Sequence, residues 1–155
     1  MQNPFMQEAI RLSIESAESG LGGPFGAVVV KKDQIVGRGQ NRVTSSNDPT
    51  AHAEILAIRD ACDRLATFKL EGCELYSSCE PCPMCLAAIY WARIGRVVYG
   101  NTRADAERIG FDDQWIWQDL SRGNSDRRIA MTEMMRDEAL AAFEIWDRKE
   151  DKVPY

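Results

Sequence analysis

The chain has 155 residues, 45% hydrophobic and 28% charged, which fits one globular domain with a sizeable core. Nineteen Lys and Arg against 24 Asp and Glu give a net charge of −5, a poor match for a phosphate backbone gripped by clustered cations, so nucleic acid is not expected as a partner. No run approaches the ~20 apolar residues of a membrane span and no basic-then-apolar signal opens the chain; five cysteines, three within seven residues, favour metal or thiol chemistry in a reducing, cytoplasmic setting.

Residues 5–19 read as a helix, with Phe5, Ala9, Leu12 and Ser16 at helical spacing and Met6, Ile10, Ile14 and Ala17 widening the apolar face. The glycine-rich stretch 20–26 ends it. Ala27 to Val30 and Ile35 to Gly37 read as two strands of a hairpin with Lys32 and Asp33 near its turn. A polar loop over 40–50 leads to a second helix, with Asp48 or Thr50 as the expected cap, carrying Ala53, Ile55 to Ile58 and Ala61 to Leu65. A short strand at 74–77, an apolar helix from Pro83 to about Ala92 and a strand from Arg96 to Tyr99 follow. Residues 102–132 are polar and broken by Gly110 and Gly123, which predicts a loop with short helices. A last helix is expected over 133–149, and residues 152–155 are too few for an element. Strands alternating with long helices argue a layered α/β domain, and no internal boundary is visible in 1–155.

Two stretches carry chemistry. ThrAlaHisAlaGluIle (50–55) and SerCysGluProCysProMetCys (78–85) together form H-x-E followed by P-C-x-x-C, the pattern of zinc-dependent deaminases. Cys82 and Cys85, separated by two residues at a helix start, aim two thiolates at one ion, and His52 adds a nitrogen from another helix start. Three protein ligands leave a coordination position open for water, which is the catalytic arrangement of Zn2+. Glu54, two residues after His52, is placed to carry protons without ligating: from water, to a ring nitrogen and to a departing amine. A structural zinc knuckle with Cys79 as fourth ligand and a redox C-x-x-C pair are the alternatives. The first conflicts with the expectation that Cys79 packs, and the second leaves His52 and Glu54 without a role.

These motifs resemble the cytidine deaminase-like superfamily over about residues 20–120. GlyGlyProPheGlyAla (22–27), SerAsnAspProThrAlaHisAlaGlu (46–54), AlaIleTyrTrpAlaArg (88–93), GlyPheAspAsp (110–113) and the terminal Tyr155 are similar to the bacterial guanine deaminases within it. The resemblance implies a three-layer α/β/α fold around a mixed sheet of about five strands. It also implies one Zn2+ per subunit and a homodimer in which the C-terminal segment is exchanged. The implied reaction is hydrolysis of guanine to xanthine and ammonia. By the same resemblance Asn41 holds the purine's polar edge, Phe25 packs on its ring, the amide of Ala53 orients it, Asp113 approaches the amine, and Tyr155 closes the pocket of the other subunit.

Each contact residue also has a plainer reading: Asn41 as a turn residue, Phe25 as core, Asp112 and Asp113 as a helix cap. The four tryptophans are expected in core or interface, with Trp91 packed on the helix that starts near the cysteines. The glycines at 22, 23 and 26 lack the GlyLysSer or GlyLysThr continuation of a phosphate loop. Residues 119–132 and Glu144 carry no assignable role. Competing functions are a tRNA adenosine deaminase, a deaminase of cytosine or another small aminated heterocycle, and an inactive zinc-stabilised binding protein.

Overall fold

The computed structural model describes residues 3–155, which form two compact units, the first ending at Gln114 and the second spanning Trp115–Tyr155. The first opens with α1 (Pro4–Ser19), where the Asn3 side chain accepts the amides of Phe5 and Met6, Pro4 occupies the first turn and Gly20 closes the helix in the left-handed region. β1 (Gly26–Lys31) and β2 (Gln34–Gln40) form the expected hairpin. Lys32 and Asp33 both take positive φ, 49° and 58°, the twist-matching geometry of a two-residue hairpin turn. A short α2 (Val43–Ser46) precedes α3 (Ala53–Leu65), β3 (Cys73–Cys79), α4 (Pro83–Trp91), β4 (Arg96–Asn101) and α5 (Arg103–Arg108).

The sheet runs β2-β1-β3-β4, with β1 antiparallel to both neighbours and β4 parallel to β3. It has four strands, one fewer than the resemblance implied. The chain after β4 supplies no fifth: Thr102 caps α5 in a reciprocal box with Asp105, and the polar, glycine-broken stretch beyond lacks the alternation a strand needs. Alternation along the strands sorts the core into two clusters. Ala27, Val29, Cys73 and Leu75 meet Ala53, Ala57 and Ala61 of α3 and Ile89 of α4. Val28, Val30 and Tyr76 meet Ala9 and Leu12 of α1. Helices on both faces of a mixed sheet give the expected three layers.

The approach of α3 to β2 fixes the site. Ala53, Ala57 and Ala61 form a stripe of small residues against Gly37 and Gly39. A methyl group at Gly39 would collide with the Ala53 carbonyl, and one at Gly37 with the Ala57 carbonyl. The start of α3 is therefore held at one height over the sheet.

On the outer face of α1, Glu8 accepts from Arg11 Nε at 2.8 Å and from Arg38 Nε of β2 at 2.9 Å. The two guanidinium groups hold its carboxyl down at about 2, from an ordinary 4.5. A depressed carboxyl stabilises the fold above its unfolded pKa, and that contribution disappears as pH falls through 4.5 towards 2. Screening at this partly exposed site reduces the effect to about 1 kcal/mol. Urea unfolding of Glu8→Gln is expected to show that deficit at pH 7 and to converge with the parent near pH 2; a pH-independent difference would remove the ion pairs as its cause.

In the second unit, α6 (Gln114–Leu120), a single 3-10 turn (Asn124–Asp126) and α7 (Arg136–Arg148) account for the expected short helices and last helix. Asp119, buried, accepts the Arg128 amide with both oxygens, and the Arg128 guanidinium lies over the Trp115 ring. Of the expected core or interface placement of the tryptophans, the core half is corrected for three: Trp91, Trp115 and Trp146 are exposed in the single chain, and Trp91 is itself the last residue of α4. No helix among the described residues is long and apolar enough to cross a membrane.

Candidate metal and proton-transfer site

Two helix starts converge behind the sheet. His52 is the N-cap of α3, with extended backbone and no side-chain capping bond. Asp48, expected as a cap, instead closes a turn on itself by accepting the amide and hydroxyl of Thr50. The imidazole of His52 turns away from its own helix, and Nδ1 lies 3.5 Å from Cys82 Sγ and 3.4 Å from Cys85 Sγ. Cys82 is the N-cap of α4, Pro83 sets the first turn, and Cys85 is buried three residues further on.

His52, Cys82 and Cys85 form the one group of three potential metal donors found among the described residues, their donor atoms all within 4.8 Å of one another. Ligands at ordinary Zn–S and Zn–N bond lengths in a tetrahedron stand about 3.5 Å apart. The observed nitrogen–sulfur separations therefore already fit one zinc ion. The electrostatics agree. The interaction with the Cys85 sulfur and the neighbouring imidazole push Cys82 down to about 4, while the same sulfur–sulfur interaction and burial push Cys85 up. His52 is pushed up chiefly by its hydrogen bond to Cys82. Two sulfurs and an imidazole competing for one proton are a donor set that a borderline-soft divalent cation satisfies at once.

Cys79 does not join them. It ends β3, is 5% exposed, points its sulfur at the Thr102 carbonyl, and is pushed up to about 11 by burial. It packs, as expected, and the four-ligand knuckle finds no fourth ligand among the described residues.

Glu54, in the first turn of α3, is 6% exposed and outside the three-donor group. Its Oε1 accepts from the Ser77 hydroxyl at 3.1 Å, and its Oε2 accepts from Cys85 Sγ at 3.4 Å. Burial pushes this carboxyl up from the ordinary carboxylate range. Ser77 was not singled out by the sequence; its only signal there is a polar residue in the row Cys73, Leu75, Ser77 of β3.

The resemblance-derived contact residues are distributed as follows. Asn41 is buried; its Oδ1 accepts the amides of Gly23 and Val43, which leaves the amide nitrogen as its outward donor. Ser16 braces the same loop by donating to the Gly23 and Asn41 carbonyls. Phe25 is half-buried against the core and meets the edge of Phe111 at 4.9 Å between ring centres. Ala53, fully buried, offers the first amide of α3. Asp113 is half-exposed and near enough that its charge raises both His52 and Cys79. With Glu80 and Thr102 it lines a cleft of about 300 Å³. Asp112 accepts the Gln114 amide at the start of α6, the capping part expected of this pair. Tyr155, in the second unit, is exposed.

Residues 1–101 match the cytidine and deoxycytidylate deaminase zinc-binding region. The chain belongs to this family of zinc-binding deaminases. Within the family, the chain is 47% identical to guanine deaminase of Bacillus subtilis over 97% of each chain. The crystal structure of guanine deaminase from Bacillus subtilis superposes with a TM-score of 0.95 at 46% identity, covering 100% of this chain and 99% of that one. Similarity to the tRNA-specific adenosine deaminase of Aquifex aeolicus is 46% over 61% of this chain and 62% of that protein. A guanine deaminase from Nitrosomonas europaea superposes with a TM-score of 0.68 at 31% identity, covering 94% of this deaminase and 85% of that chain.

Proposed function

We propose that this deaminase hydrolyses guanine to xanthine and ammonia. One observation carries the reading. Likeness to a guanine deaminase runs end to end, whereas likeness to a tRNA adenosine deaminase covers about three-fifths of either protein. The net charge of −5 points the same way, since an anticodon stem-loop needs a cationic rim.

His52, Cys82 and Cys85 are the residues that would hold zinc. Bound there, zinc supplies the Lewis acidity that brings ionisation of water within reach of neutral pH. The rest of the chemistry belongs to the chain. Glu54 takes a proton from the attacking water and returns protons to the ring nitrogen and to the exocyclic amine, which leaves as ammonia. The Asn41 amide nitrogen donates to the purine's carbonyl edge and Phe25 covers the ring. The Ala53 amide fixes the base against α3, and Asp113 accepts from the departing amine. Atoms balance as guanine plus water giving xanthine plus ammonia.

The functional unit in this reading is a cytoplasmic homodimer in which the C-terminal segment crosses over and Tyr155 of the partner subunit closes the pocket. Val153 and Tyr155 are both exposed, as are Phe143, Ile145 and Trp146 of α7, apolar surface that a second subunit would cover. Removing residues 152–155 is expected to lower kcat/KM by about tenfold or more while leaving the melting temperature within a few degrees, because a lid acts on the bound complex rather than on the core. Equal losses in both would remove the lid.

Ammonia release against guanine, adenine, cytosine, cytidine, adenosine and a tRNA anticodon hairpin tests the substrate. The expected result is release from guanine with stoichiometric xanthine. Turnover of the hairpin alone, or of none of the six, would overturn it.

A further inference from the structure

We propose that Ser77 is a positioning residue that holds the Glu54 carboxylate in its proton-carrying orientation. The inference rests on the reading of Glu54 as the proton carrier. β3 is a central strand, paired through Ala27↔Ser77 on one side and Ser77↔Tyr99 on the other, so the Ser77 backbone is fixed from both edges. Its side chain falls on the face that Cys73 and Leu75 give to the apolar core, and it is 1% exposed. A hydroxyl in such a row costs stability unless it has a partner. That partner is Glu54 Oε1, at 3.1 Å and also buried.

The adjacent Ser78 provides the contrast. It is also buried, but its oxygen accepts the Gly26 amide and so serves the backbone at the start of β1. Ser77 serves a carboxylate that the core has no other reason to contain. With Oε1 held by a rigid strand, the remaining oxygen, Oε2, is turned to the Cys85 side, where the three metal donors meet. Proton transfer requires a donor–acceptor approach within hydrogen-bond reach, and a carboxylate free to rotate loses that alignment for part of the time. The contact is thus built to affect the rate of turnover rather than substrate capture.

Ser77→Thr and Ser77→Val provide the test, because they differ only in the hydroxyl while adding the same bulk. In the zinc-loaded enzyme assayed with guanine, Ser77→Val is expected to lower kcat about tenfold or more relative to Ser77→Thr. KM is expected to stay within about twofold, with equal zinc content and melting temperature in the pair. In a Glu54→Gln background the two should turn over equally. Equal kcat for Thr and Val in the otherwise unaltered chain overturns the proposal, as does a Val loss matched by loss of zinc or of melting temperature. If Glu54→Gln itself leaves turnover intact, the proton-carrier reading fails first; if it abolishes turnover and the Thr/Val pair is level, only the positioning role fails.

Discussion

Glu54→Gln is expected to fold, bind zinc as the parent chain does, and lose about 10³-fold in kcat, within the range that a positioned acid–base group supplies. The amide keeps the shape of the carboxyl, and its oxygen still accepts from Ser77, so the local packing has no reason to change. What disappears is the capacity to accept and return a proton. Stability is expected to stay level or rise, because a carboxyl that is 6% exposed inside an apolar layer is expensive to bury and a neutral amide is less so. A rise in melting temperature together with collapse of turnover would mark Glu54 as a group retained for chemistry at the expense of the fold. Calorimetry and ammonia release on one preparation measure both. Turnover within tenfold of the parent enzyme would assign the proton transfers elsewhere, with Asp113 the next carboxylate to test.

The parts of the site that were legible in the chain are those where chemistry dictates spacing. Two thiolates reach one ion most simply from either end of a first helical turn, and that is the Cys82–Cys85 interval. A carboxylate two residues past a helix-capping imidazole can reach the donor group without joining it, and Glu54 lies beside Cys85 while staying outside the three donors. The hairpin was similarly readable, because its period is local. What was not readable depends on the third dimension. Asp48 has the better capping side chain, yet it is taken up in a turn with Thr50 and His52 occupies the cap position. Ser77 breaks an apolar row by a single residue, which carries no pattern until Glu54 is seen opposite it. Trp91 and Trp146 have apolar surroundings in sequence, but in one chain they face outward, since periodicity reveals an apolar face without saying which molecule covers it. The absent fifth strand has the same origin: the resemblance carried a strand count, while residues 102–132 carry no alternation to support one.

The metal group can be separated from its neighbour by cysteine. Cys82→Ala is expected to purify with less than about a tenth of a zinc ion per chain and to be inactive, since two remaining donors cannot compete with solvent for an ion that the full set holds. Cys82 is also the N-cap of α4, but its side chain makes no capping bond there, so an alanine has none to lose. Cys82→Ser keeps nearly the same shape but is a poor zinc ligand, so it should lose the metal as alanine does while the start of α4 is kept. Cys79→Ala is the counterpart. Its thiol is held protonated by burial and faces a carbonyl rather than the donor group, so zinc content should stay at parity and only the packing at the end of β3 should suffer, by about 1–2 kcal/mol. Elemental analysis of the three variants distinguishes the cases. If Cys79→Ala lost zinc as completely as Cys82→Ala, the ion would have four protein ligands, no position would be left for water, and the site would be a staple for the fold instead of a centre for hydrolysis.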